Sequence, residues 1–267
     1  MPTLDVPNAR LNYLTEGSGP LLILIPGANG EHGIYQGLAR QLSDTYTVLT
    51  YDRRGFSQSP LTGPQDYANR LQTDADDVAA LIVEVGAGQP ATVFGSSSGA
   101  IVALQTLISH PEVVKTLIAH EPPVLKMLPD GEELIAFQAG VYQLYREGGL
   151  FPARQKFAQQ ASPMDRAVMG AGGERGPFAQ ANTTYWFERE LLVYPNTDFD
   201  LEALKRSKDK LIMGVGKQSE NSFAERGAVA FAEKLGVPLA SFASAHVGYA
   251  MQPQEFAADL RAALSGR

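Results

Sequence analysis

The sequence predicts an α/β fold: a mostly parallel central sheet flanked by helices, with one helical insertion. Three observations predict it. Short β-branched or leucine-rich runs alternate with helical segments along most of the chain, the rhythm of a sheet built from βα units. One such run enters a helix through a tight glycine-bounded turn, Gly95-Ser96-Ser97-Ser98-Gly99. Between Pro122 and Asp209 the rhythm stops, and it resumes at Lys210.

Leu21–Ile25 is a continuous apolar run ended by Pro26-Gly27, as expected of a strand buried on both faces. Tyr46–Tyr51 is a second strand, followed by Asp52-Arg53-Arg54-Gly55. Leu71–Val85 has apolar residues at Leu71, Ala75, Val78, Leu81, Ile82 and Val85, a helical spacing. Gly86 and Gly88 end it. Ala91–Phe94 reads as a strand, Ser98–Ser109 as a helix closed by His110-Pro111, and Val113–Ala119 as a strand. Residues 122–209 hold no strand pattern and are too long for a bare loop. Glu132–Arg146 is amphipathic, and Phe178–Val193 holds another helix around Tyr185-Trp186-Phe187. The glycine-rich stretch 170–176 between them is expected to be mobile. Strand Lys210–Val215, helix Phe223–Leu235, strand Pro238–Ala243 and helix Pro253–Leu264 complete the chain. The expected organisation is a core of residues 1–121 and 210–267, with 122–209 inserted as a helical cap.

The chain has 267 residues, 44% hydrophobic and 19% charged, an ordinary globular composition. Its formal net charge of -7 repels phosphate backbones, so no nucleic-acid partner is expected. There are no cysteines, which excludes disulfides, thiolate metal sites and a cysteine nucleophile. The N-terminus lacks the basic-then-apolar pattern of a signal peptide. The longest strongly apolar stretch, Leu21–Ile25, is too short to cross a bilayer. A soluble, cytoplasmic protein without membrane partners is the expectation; the oligomeric state is not legible.

A strand-to-helix turn of the form G-x-S-x-G lifts one hydroxyl clear of a sheet. Gly95 and Gly99 supply the two tiny positions only if Ser97 is central. Ser97 then sits at a helix N-terminus, where free N–H groups favour negative charge. Ser98 would offer its backbone N–H to an oxyanion, with its side chain of less account, and Ser96 is simply small. A serine nucleophile needs a base. Of the four histidines, His32 follows the first strong strand, His110 ends a helix and reads as surface, and His120 ends a strand. His246 follows the last strand, at the edge and in the chain order that a base after Ser97 requires. Two carboxylates compete for orienting it. Glu121 is pinned at a strand end by Pro122-Pro123, and Glu220 lies in a polar loop beside Lys217. The loop Pro26-Gly27-Ala28-Asn29-Gly30 is a second candidate donor, with the Ala28 N–H joining that of Ser98.

The series Pro26-Gly27-Ala28, Asp52–Ser59, Gly95–Gly99 and His246 resembles the α/β-hydrolase superfamily from end to end, with the insertion outside the shared pattern. The elbow followed by His120-Glu121-Pro122 resembles a branch that includes the fungal zearalenone lactone hydrolases. That resemblance implies an α/β-hydrolase fold, a cap over the active site and a triad acid after the sixth strand, at Glu121. The more usual acid position after the next strand reads Gly216-Lys217-Gln218-Ser219, without a carboxylate. A second departure is Pro26, where many members carry histidine.

The chemistry expected is a serine esterase or lactonase: Ser97 attacks, His246 is the base, Glu121 orients it, and Ala28 with Ser98 holds the oxyanion. Its partner is a small-molecule ester or lactone, and no cofactor is required. His120-Glu121-Pro122-Pro123-Val124 departs from H-E-x-x-H at its last position, so no metal site is expected. The alternatives on the same fold are a cofactor-free lyase, a C–C hydrolase, a perhydrolase, or a non-catalytic binder that keeps the pocket. Trp186, the only tryptophan, serves either cap packing or an apolar substrate pocket. Met127, Leu128, Phe137 and Tyr249 are further substrate-binding candidates.

Overall fold

The computed structural model describes residues 1–170 and 176–266. The middle of the stretch expected to be mobile, 171–175, lies outside the described residues. The strands are β1 (Thr3–Val6), β2 (Ala9–Glu16), β3 (Leu21–Ile25), β4 (Thr47–Tyr51), β5 (Ala91–Ser96), β6 (Val114–His120), β7 (Leu211–Gly216) and β8 (Leu239–Phe242). They form one sheet in the order β1-β2-β4-β3-β5-β6-β7-β8. β1 and β2 are antiparallel additions at one edge; every pair from β4/β3 onward is parallel. The helices are α1 (Gln36–Leu42), α2 (Arg70–Val85), α3 (Ser98–Ser109), α4 (Gly131–Gly148), α5 (Leu150–Phe157), α6 (Pro163–Gly170), α7 (Ala179–Arg189), α8 (Leu201–Arg206), α9 (Phe223–Leu235), α10 (Gly248–Met251) and α11 (Pro253–Leu264).

The continuous apolar strands are explained by burial on both faces. Along β3, Ile23 and Ile25 face a core shared with α2, α3 and α9, while Leu22 and Leu24 face α1 and α11. Truncating any of these leucines to alanine should cost about 2–5 kcal/mol. Register then sets the functional edge. Ile25 pairs with Gly95, and Ser96 pairs with His120. The chain therefore leaves β3, β5 and β6 side by side, and the loops that follow meet there.

The N-terminal hairpin and α1 were not anticipated from the sequence. β1 is only four residues long with alternating exposure, and Asn8 makes the hairpin turn at φ 60°. Helix α1 is just seven residues, with Leu38, Ala39 and Leu42 buried. Segments this short carry little periodic signal.

Within 122–209 the described residues form helices and turns and no strand. α4, α5 and α7 enclose a small cluster of Val141, Ala153, Trp186, Phe187 and Leu191 around Phe56 of the core. A buried ion cluster ties α7 and the turn after it to the core. Both Arg53 terminal nitrogens donate to Glu190 at 3.0 and 2.8 Å, and Nη2 also donates to Asp74 at 2.6 Å. Arg70 donates to Glu190 at 3.0 Å and to the Tyr185 hydroxyl at 2.8 Å. The Tyr194 hydroxyl donates to Asp74 at 2.5 Å. Arg53, Asp74 and Arg70 come from the sheet side, and Glu190, Tyr185 and Tyr194 from the inserted segment.

Candidate active site

Ser97 stands between β5 and α3 at φ 57°, ψ -126°, a conformation that costs a non-glycine residue about 1–3 kcal/mol unless its surroundings impose it. The surroundings impose it. A Cβ on Gly95 would lie 2.3 Å from the Gly99 carbonyl oxygen, and one on Gly99 would lie 2.2 Å from that of Ile25. The Ser97 N–H donates to the His120 carbonyl at 3.0 Å. Among residues 91–100 Ser97 alone is not buried. The three serines thus divide. Ser96 is fully buried and its hydroxyl bonds His120 Nδ1 at 3.0 Å, so it is more than a small filler. The Ser98 hydroxyl accepts from Trp186 Nε1 at 3.3 Å; its side chain docks the inserted segment on the elbow, a use the sequence did not suggest.

The loop after β3 approaches the elbow closely. A Cβ on Gly27 would sit 3.1 Å from that of Ser97, and Ala28 follows it into the cavity that Ser97 and Ser98 also line. Ser98 is the first residue of α3, where a helix leaves backbone N–H groups without intrahelical partners.

His246 lies just beyond β8, and its Nδ1 is 2.6 Å from Glu121 Oε2. The other carboxylate oxygen accepts the Gly216 N–H at 2.7 Å and the Ser219 hydroxyl. Glu121 itself is fully buried at φ 47°. Burial pushes its carboxyl up, but the His246 hydrogen bond, the His120 and His246 charges and the Ser219 hydroxyl outweigh it and bring it to about 2. Burial pulls His246 down, and the Glu121 hydrogen bond and charge, with the Asp165 charge, leave it above its ordinary value. Glu220, by contrast, is exposed. His120 is buried among Phe94, Phe242, Tyr249 and Phe256, and burial lowers it to about 4. His32 pairs with Asp52 at 2.8 Å, and His110, half-exposed, with Asp76 at 2.7 Å.

Ser97, His246 and Ala28 open on one cavity of about 260 Å³. Its walls are mostly apolar, with Ile34, Val247 and Tyr249 from the core and Phe157, Trp186 and Pro195 from the inserted segment. Trp186 and Tyr249, two of the substrate-binding candidates, line this cavity. Three other candidates do not. Met127 and Leu128 line a separate open groove against α9, because the chain after Glu121 packs on that helix: a Cβ on Gly227 would lie 2.9 Å from the Pro122 carbonyl. Phe137 packs in the cluster around Phe56 and Trp186. Its neighbour on α4, Gln138, takes the cavity instead, and adjacent helical residues point about 100° apart.

Sequence reasoning missed Gln138, Asp165 and Ser219 at the site, and Glu190 and Arg70 at the joint beside it. For Asp165 a signal existed. Ser162 and Asp165 form an S-x-x-D helix start, with the Ser162 hydroxyl 2.6 Å from Oδ2 and accepting the Asp165 N–H at 3.1 Å. That signal locates the start of α6; it does not reveal that the side chain meets a cavity.

A glycine-framed serine elbow, a histidine held by a buried carboxylate and a cavity at the C-terminal edge of a largely parallel sheet define a hydrolase class. The chain belongs to the alpha/beta hydrolase fold family, which it matches over residues 20–214. It is 34% identical over 258 residues to the uncharacterized hydrolase YraK of Bacillus subtilis (strain 168), covering 95% of this chain and 92% of that protein. It is 26% identical over 270 residues to the zearalenone hydrolase of Bionectria ochroleuca, covering 96% and 94%. Among solved structures, Est816, described as an N-acyl homoserine lactone degrading enzyme, superposes with a TM-score of 0.73 at 17% identity, covering 98% of this chain and 99% of that one. The protein is a hydrolase of this family.

Proposed function

We propose that the protein cleaves a carboxylic ester or lactone through an acyl-enzyme on Ser97. The observation that carries this reading is the shared cavity of Ser97 and a His246 whose Nδ1 is held 2.6 Å from Glu121. With Nδ1 committed to the carboxylate, Nε2 is the nitrogen left to take the Ser97 proton. Ser97 Oγ attacks the carbonyl carbon, and the Ala28 and Ser98 N–H groups receive the oxyanion. His246 gives the proton to the alkoxide as its bond to the carbonyl carbon breaks, then takes one from water as the water attacks the acyl carbon, and returns it to Ser97 Oγ as the acyl–serine bond breaks and the acid leaves. Glu121 keeps the imidazole tautomer and stabilises the imidazolium. Residues 122–209 act as the cap over the core of 1–121 and 210–267, and Trp186 and Tyr249 bound the substrate. The names of the zearalenone hydrolase and Est816 support the ester and lactone class. The net charge of -7 supports a small-molecule partner rather than nucleic acid. No described helix is long and apolar enough to span a membrane; we assign the protein to the cytoplasm.

The test is treatment with a serine-directed phosphonate, adduct mapping by mass spectrometry, and turnover of p-nitrophenyl esters and lactones. The reading requires label on Ser97, lost in His246→Ala, with burst kinetics. Label elsewhere, or a protein that binds these compounds and turns none over, would sink it.

A further inference from the structure

Asp165 is a carboxylate that the proposed reaction does not use. It is 5% exposed, it lines the cavity shared by Ser97 and His246, and its Oδ1 has no hydrogen-bond partner. Its other oxygen accepts from Ser162 at the start of α6. Gln138 on α4 repeats the pattern: it is 1% exposed, it lines the same cavity, and its Oε1 is unpartnered. A helix-start role accounts for Oδ2 alone. Buried polar atoms are almost always bonded, and each orphan calls for a partner. Both residues come from the inserted segment, and both line a cavity whose other walls are largely apolar.

We propose that Asp165, with Gln138, binds a hydrogen-bond donor that the substrate carries away from its scissile carbonyl, a hydroxyl or an amine. The substrate class is then a compact hydroxylated or aminated ester or lactone: an apolar body, a carbonyl at Ser97 and a donor at the cap. A volume of about 260 Å³ suits such a compact molecule, since it falls just under the usual ligand-pocket range of about 300–1,000 Å³. The Asp165 charge also reaches the catalytic end of the cavity. It follows burial and the Glu121 contacts among the influences on His246, and it follows burial and the Ser96 hydrogen bond among those on Tyr249. This inference rests on the proposed function, because it takes the Ser97 cavity as the place where substrate binds.

The experiment compares p-nitrophenyl alkanoates of rising chain length with their ω-hydroxy and ω-amino counterparts. It reads the ratio of kcat/KM between each pair, which a general loss of activity does not move. The wild type should favour a donor-bearing ester by at least about tenfold at one chain length, because an analogue without the donor leaves the site's acceptors unpaired. Asp165→Ala should bring that ratio close to one. Asp165→Asn keeps an acceptor and the size of the side chain, so it should retain part of a hydroxyl preference and lose an amine preference. Gln138→Leu should lower the ratio by less. The inference is overturned by equal rates for each pair in the wild type at every chain length. It is overturned equally by a preference that survives both Asp165 variants. Calorimetry on Ser97→Ala with the same pairs reads the ratio in binding alone. A protein that hydrolyses none of the esters thus ends the esterase reading, while the calorimetric ratio still decides the role of Asp165.

Discussion

Two buried charge centres lie close together in this molecule and are built for opposite ends. At the sheet edge, Glu121 holds His246, which is itself partly exposed to the cavity. At the joint with the inserted helices, Arg53 and Arg70 meet Asp74 and Glu190, each at most 3% exposed. Both centres place carboxylates out of water, where an unpaired charge is costly. The first commits one imidazole nitrogen to a carboxylate, which holds the histidine above its ordinary value while it lines the cavity. The second spends its principal charged groups on holding two parts of the chain together. Burial and pairing are common to both centres; what distinguishes the first is its open face on a cavity.

The sharpest way to separate the two centres is to remove their key groups and read activity and stability independently. Ser97→Ala should lower kcat by about 10⁵–10⁶-fold, and a thermal melt should show no loss of stability. Glu121→Gln should lower kcat by about 10⁴-fold, as when the acid of a triad loses its charge. A Glu121→Gln enzyme within tenfold of the wild type would break the comparison from the catalytic side. At the joint the expected loss is in stability. Glu190→Ala leaves two buried guanidinium groups to share Asp74 as their remaining carboxylate and should cost about 3–5 kcal/mol in urea unfolding, with a smaller effect on kcat of the folded fraction.

The pH profile sharpens the contrast further. His246 must be neutral to act as base, so kcat/KM should fall about tenfold per pH unit below its pKa. Because His246 is held above its ordinary value by Glu121 and Asp165 against the pull of burial, this limb should lie above that of a free imidazole. Removing the Glu121 charge should move it to lower pH. Conversion of Arg53 or Glu190 should leave the limb in place. The smallest effect is expected from Trp186→Phe, which deletes the 3.3 Å bond to the Ser98 hydroxyl. It should raise KM by a few-fold, or about 0.5–1.5 kcal/mol, with kcat nearly unchanged in steady-state assays.

Much of this was already legible in the sequence. The fold class followed from strands whose apolar runs meet a core on both faces, and the bounds of α3, α9 and α11 match the periodic segments read from the sequence. Gly95 and Gly99 identified Ser97 because only glycine fits there, and the 2.3 and 2.2 Å approaches measure how little room remains. What was lost lay in short or edge elements, such as β1 and α1, whose burial patterns are too brief to read. Residues at long sequence separation were lost as well. Nothing near Glu190 announces Arg53, which lies 137 residues away.

The sequence by itself determined the elbow, the order of strand and helix, and the histidine and two glutamate candidates that a serine needs, because these depend on local spacing and on the size of single side chains. Only the tertiary structure shows which of Glu121 and Glu220 pairs with His246. One is buried 2.6 Å from His246 and the other is exposed, a difference created when β6, β7 and β8 align. It likewise decided which residues of the inserted segment face the cavity. Met127 and Leu128 turn away with α9, while Gln138 and Asp165 arrive with unpartnered oxygens. The physical reason is the same in each case: periodicity tells which face of an element is buried, but only packing between elements tells what that face meets.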